Sequence, residues 1–309
     1  MYILKHLKLV FYKKYFFIFC LILTNVYYSV SQEENLDSLI NTELGDHIDY
    51  TIATFKATRV INGQSIERMQ KGDLDFRITH RFGEINTGIY NFYGLDYSNI
   101  NFSLEYGLNN WAMFGIGRGT YNKTYSGFLK FSILRQSKGK KNMPVSLSYF
   151  SGMYVNSQKW LYTERNNHYS SRIAYCHQIL IARKFNKRLS VQLTPSLVHR
   201  NLVQYKEDAN DIYSIGFSGR YKLINRVAVN FEYFYVLNPN KNSVIKHYNP
   251  LSVGFDIETG GHVFQIILSN STGITENIFI PETTGKWGNG GICLGFNISR
   301  VFTIKKKSL

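Results

Sequence analysis

In "DLDFRITHRF", residues 73–82, Leu74, Phe76, Ile78 and Phe82 share one parity, while Asp73, Asp75, Arg77, Thr79 and Arg81 share the other. His80 is the one polar residue in the apolar set. A strand turns successive side chains to opposite faces, so this segment presents one oily face and one charged face. The pattern recurs in "LSVQLTPSL", where Leu189, Val191, Leu193 and Leu197 alternate with Ser190, Gln192, Thr194 and Ser196. It recurs again in "DIYSIGFSGRY", "RVAVNFEYFYVL" and "GICLGFNISRVFTI". Runs of nine or more alternating residues approach the length that a tilted strand needs to cross a bilayer. In a soluble sheet the oily face would meet a core and the charged face water. In a membrane barrel the oily face meets lipid and the charged face a lumen.

The connections decide between these. Twelve alternating segments run near 73–82, 98–106, 111–119, 124–134, 144–153, 171–184, 188–198, 211–222, 226–237, 250–258, 262–270 and 291–304. "GLNN", "FNKR", "LINR" and "TGG" are tight, and they fall on every second connection, whereas 83–97, 154–170, 199–210, 238–249 and 271–290 are long and polar; only Gly117 to Lys123 on the long side and Arg135 to Pro144 on the short side blur the contrast. Short turns at one end and long loops at the other are the layout of an outer-membrane barrel. The 23 Tyr and 22 Phe agree, because amphipathic rings sit well at headgroup level. Pro195 within its strand calls for an edge, a bulge or a strand end, so the strand is expected to bend there.

At the N-terminus, Lys5, Lys8, Lys13 and Lys14 precede a short apolar run from Tyr15 to Leu23, and Ser29 and Ser31 precede Gln32. That is the order of a cleavable secretory signal, with cleavage expected after Ser31. The run is less than half the roughly 20 residues that a helical span requires. Cleavage removes four lysines and no acid, which lowers the formal charge from +15 to +11. No nucleic-acid-binding motif accompanies that charge, so it suits anionic headgroups, anionic solutes or a solvated surface. Cys176 and Cys293 remain, too few for a disulfide scaffold or a metal cluster. They lie on strands across the barrel and are expected as free thiols.

Several segments resemble a family of bacterial outer-membrane β-barrels, domain of unknown function 5777. They are "TFKATRVINGQSIE" (54–67), "KGDLDFRITHRFG" (71–83), "GLDYSNINFSLEYGL" (94–108), "FGIGRGTYNKTYSGF" (114–128), "GGHVFQIILSNSTGITE" (260–276) and "FNISRVFTI" (296–304). The resemblance covers nearly all of the mature chain and is weaker over 135–250. It implies a barrel in the outer membrane, hence lipids and the barrel assembly machinery as partners, and no established activity.

The expected organisation is a signal peptide (1–31), an N-terminal segment (32–72), an all-β transmembrane antiparallel barrel (73–304) and a basic tail (305–309). The barrel has twelve strands, or fourteen if the N-terminal segment and part of 271–290 join the wall. With the apolar parity on lipid, the lumen receives Asp75, Arg77, Glu105, Lys130, Gln178, Gln192, Arg220, Glu232 and Asp256 among many Ser and Gly. Mixed signs give no strong ion selectivity. The N-terminal segment, with a turn expected at Asn62–Gly63, is read as a plug or a periplasmic clasp. As a plug it would pair Lys56 and Arg59 with lumen acids such as Asp75, Glu105 or Asp256.

The first functional reading is a channel or small-solute transporter, and the second is a closed structural or partner-binding barrel. No cofactor, metal or nucleic acid is expected. A lipid-modifying enzyme is disfavoured, because His80 and His177 sit in lipid-facing patterns without a G-x-S-x-G elbow or H-E-x-x-H spacing. The alternation of connections predicts that an epitope inserted near Asn166 or Asn240 is reached by antibody on intact cells, while one at Asn225 stays hidden. Reversed labelling would invert the barrel.

Overall fold

The computed structural model describes residues 47–160, 162–239 and 243–304. The signal peptide, residues 32–46 and the basic tail lie outside the described residues. Contacts divide the chain into two compact units, of which Tyr50–Lys138 with Asn142–Leu309 carries the barrel. The other is described over 47–49 and 139–141 alone.

The first six barrel strands are β1 (Asp73–Glu84), β2 (Ser98–Gly107), β3 (Ala112–Gly119), β4 (Tyr125–Leu134), β5 (Ser146–Val155) and β6 (Ile173–Lys184). The other six are β7 (Leu189–Arg200), β8 (Asp211–Ile224), β9 (Val227–Val236), β10 (Leu251–Thr259), β11 (His262–Ser269) and β12 (Cys293–Thr303). Each pairs antiparallel with its sequence neighbours, and β12 returns to β1 with Ile298 opposite Ile78, so the sheet closes. The wall therefore has twelve strands and not fourteen. Among the described residues no helix is long and apolar enough to cross a membrane, so closure is what satisfies the backbone groups of any span.

Burial alternates along the strands with the sequence parity. In β8, Tyr213, Ile215 and Phe217 are exposed, while Ser214, Gly216 and Ser218 between them are buried. The large residues cannot cover one another on a convex barrel face, so hydrocarbon is the solvent that suits them. His80 sits on this outer face with its ring stacked on Phe296 at 4.9 Å and its Nε2 within 2.9 Å of Ser98 Oγ. His177 is likewise outward, with Nδ1 2.9 Å from Tyr149 Oη.

Turns 108–111, 185–188, 225–226 and 260–261 are tight, and at the last Gly261 takes a φ of 119° that a side chain would resist. Pro195 is neither at an edge nor at a bulge. It faces Ile215 in register, but the ladder toward β6 breaks between Gln178–Ser196 and Ile181–Leu193 without a register shift. The missing N–H is thus absorbed as a gap in one ladder.

Arg placed at Phe217 should destabilise the folded barrel by about 2–4 kcal/mol, as charge at mid-bilayer depth does. Leu there should cost little. Urea midpoints of vesicle-inserted barrels test this, and equal midpoints for the two variants would overturn the outward assignment. Arg at Thr194 or Ser218 will not be mild as an empty lumen would allow, because both are almost fully buried inside.

Candidate functional site

The inner parity encloses a space that two other segments fill. Residues 57–65 fold into a hairpin inside the barrel, with Val60 N–H donating to Gly63 O at 2.9 Å and Ser65 N–H to Thr58 O at 2.9 Å. The two-residue turn is Ile61–Asn62, one position before the expected Asn62–Gly63. From the long-loop end, the connection between β11 and β12 also tucks in through a one-turn helix, Glu276–Phe279. Its Phe279 packs edge-on against lumen-facing Phe234 at 5.2 Å. The sequence predicts a long polar loop here, yet Ile278, Phe279 and Ile280 are buried.

The hairpin tip is held by one carboxylate. Glu232 on β9 accepts N–H bonds from Ile61 (3.2 Å), Asn62 (3.2 Å) and Gly63 (2.9 Å). A Cβ on Gly63 would lie 3.0 Å from the Phe234 ring and 3.2 Å from Glu232 Oε2, a tight fit that one of these side chains would have to yield to. Lys130 on β4 supplies the opposite sign, with Nζ donating to the carbonyls of Thr58, Ser65 and Glu67 at 3.1 Å each. Charged groups removed from water demand such partners.

The other expected lumen residues are all buried. Arg77 binds Thr58 Oγ1 and Asp75 Oδ2, both at 2.8 Å. Glu105 accepts the Thr58 hydroxyl and lies 3.7 Å from Arg59 Nε. Gln192 donates to Gln64 O at 2.7 Å. Gln178, by contrast, bonds to the wall at Ser196, and Arg220 and Asp256 pair with each other at 3.5 Å.

Of the expected insert contacts, Arg59 does reach Glu105, but its closer partner is Glu276 at 2.8 Å. Lys56 meets none of the three expected acids and pairs with Glu258 at 2.8 Å. Burial opposes the Arg59 charge, but Glu276 and Glu105 outweigh it and hold the guanidinium above its ordinary range. Burial pushes the Glu67 carboxyl up, against the N–H groups of Phe55 and Thr54.

Sequence reasoning missed several partners. Arg81 bonds to Asn62 Oδ1 at 2.7 Å, although its parity with Asp75 and Arg77 placed it inward. Asn297 and Gln265 donate to the carbonyls of Ile61 (3.0 Å) and Val60 (2.8 Å). Glu276 binds Arg59, Gln64 at 3.0 Å and the Tyr154 hydroxyl at 2.6 Å, and so joins the two inserted segments. A loop residue carries no periodic signal that could have revealed it. Cys176 and Cys293 are both free and buried.

No curated protein matches the sequence. Among solved structures, a NanC porin aligns at 9% identity over 75% of this chain and 100% of its own, with a TM-score of 0.44. A KdgM porin in complex with disordered oligogalacturonate aligns at 9% over 74% and 99%, with a TM-score of 0.45. OmpT of Vibrio cholerae aligns at 8% over 76% and 99%, with a TM-score of 0.34. The family model described as "Membrane bound beta barrel domain (DUF5777)" matches residues 55–302, a span that takes in the lumen hairpin as well as the wall. The chain belongs to this family of membrane-bound β-barrels.

Proposed function

We propose that the protein is a bacterial outer-membrane channel for small polar solutes, held shut by its own N-terminal hairpin. It would reach that membrane by way of the cleavable signal at 1–31 and the barrel assembly machinery. The observation that carries the reading is how the hairpin is attached. Arg77, Glu105, Lys130, Gln192 and Glu232 on the wall all bond to residues 58–67. Yet among the described residues no β-bridge joins 54–66 to a barrel strand, and the first one, Lys71 with Gly107, lies at the short-turn end. The hairpin can therefore leave without breaking a wall ladder. Water entering behind it would solvate the polar groups that it releases, and twelve strands enclose a space wider than wall side chains fill.

A second reading is a permanently closed structural or partner-binding barrel. It is favoured by the β11–β12 connection, which occupies the other end and clasps the hairpin through Glu276. Neither reading assigns the barrel a catalytic step.

Planar-bilayer recordings separate the two. The intact barrel should be mostly silent, and deletion of residues 33–66 should give a folded barrel of steady, higher conductance. Glu232→Ala, which frees three N–H groups at the tip, should raise the open probability about tenfold or more, since each bond to a charged group is worth roughly 1.5–3 kcal/mol. Cross-linking Asn62→Cys to Ser252→Cys should silence the barrel again. Silence in every folded variant would favour the closed barrel.

A further inference from the structure

Beside the point where the hairpin enters the short-turn end lies a cavity of about 400 Å³, walled on one side by residues 51–54 with Ile66, Glu67, Arg68 and Gln70. Asn110, Ser132, Arg135 and Ser146 close its other side. Ser132 and Ser146 share the inward parity of Lys130 and Ser148, so the cavity opens into the barrel mouth and not onto the lipid face.

Two guanidinium groups share this space. Arg68 donates through Nε to Asn110 O at 2.5 Å, and Arg135 lies 4.2 Å from the centre of the Tyr50 ring. Among the described residues neither arginine forms an ion pair with a carboxylate. The one acid in the lining, Glu67, turns its Oε1 to the N–H groups of Thr54 at 2.7 Å and Phe55 at 3.2 Å. A third cation stands close by, as Lys184 Nζ donates to Ile52 O at 2.9 Å. Burial and, after it, the Arg135 charge hold the Arg68 guanidinium below its ordinary range. Two like charges gathered on a polar cavity repel unless something of opposite sign lies between them.

We propose that Arg68 and Arg135 form a binding site for an oxyanion, the carboxylate, phosphate or sulfate group of a soluble ligand, at the short-turn mouth. Each guanidinium offers a planar fork of donors that matches two oxygens of such a group. Arg68 is fixed by the turn carbonyl and Arg135 by the tyrosine face, so both forks are oriented before the anion arrives. The hydroxyls of Ser132 and Ser146 and the amide of Gln70 provide further polar lining. The site does not depend on the hairpin moving, so it stands or falls separately from the channel reading.

The test is calorimetric titration of the full chain in phosphatidylcholine nanodiscs with inorganic phosphate, sulfate and acetate as probes. At least one probe should bind, and Arg68→Gln and Arg135→Gln should each weaken it by about tenfold or more, with the double variant abolishing it. Arg135→Lys, which keeps the charge and loses the fork, should weaken it by a smaller factor. Arg118→Gln, on a residue stacked over Tyr125 at 5.5 Å, should leave binding unchanged. Heat-modifiability confirms folding of each variant, and Arg135→Gln, which gives up a single ring contact, keeps the test alive if Arg68→Gln misfolds. Binding of no probe by the wild type overturns the site, as does equal affinity in Arg118→Gln and Arg135→Gln. If added phosphatidylglycerol displaces the probe, the anion belongs to a lipid headgroup and the assignment to a soluble ligand fails.

Discussion

A strand in hydrocarbon has nowhere to leave an unpaired N–H or carbonyl, because no water is present to accept or donate. The pairing of β12 with β1 is the step that removes the last two sheet edges, and the rest of the molecule follows from it. Once the sheet closes, parity has only one sense: one face turns outward with its apolar side chains exposed, and the other is enclosed. Phe217 and Ser218, adjacent in the chain, then face media that differ as much as oil and a packed polar interior.

Closure also creates a problem that it does not solve. It buries Glu232 and Lys130 on the inner wall, where an unpaired charge would be very costly. The wall does not meet that demand by pairing these two with each other. Each instead faces the backbone of the hairpin, Glu232 taking three N–H groups and Lys130 three carbonyls. Main-chain groups of a short turn thus complete a polar network that the strands leave open. Gly63 sits close to both the carboxylate and the Phe234 ring, where a Cβ would be tightly placed.

Both ends of the interior hold apolar and charged groups. One apolar cluster is built on Phe150, Phe234 and Phe279 and a second on Phe55, Ile61 and Leu180. Asp75, Arg77, Glu105 and Arg220 are buried toward the short turns, and Arg200 pairs with Glu282 beside the long loops. Arg59 and Glu276 join one inserted segment to the other. The short-turn mouth is also where Arg68 and Arg135 stand, neither in an ion pair with a carboxylate among the described residues, so the end that admits the hairpin is the end equipped to hold an anion.

Much of this was legible in the chain. Period-two alternation located all twelve strands, because side-chain direction in a strand depends on parity alone. The alternation of tight and long connections oriented them, because neighbours in a meander must turn at opposite ends. Parity also placed Asp75, Lys130 and Glu232 inside. It could not say what they would bind, and the plug reading named Asp75, Glu105 or Asp256 for Lys56 where Glu258 is its partner, since contact across a lumen depends on depth and register, which local pattern does not encode. The inward fold of the β11–β12 connection and the role of Glu276 were likewise invisible, because a non-periodic loop acquires its environment from whatever space the closed wall leaves. The sequence by itself determined the wall and its two faces, through the geometry of single strands. Only the tertiary structure decided what fills the lumen, because that follows from which buried charges end up within hydrogen-bonding distance after the sheet has closed.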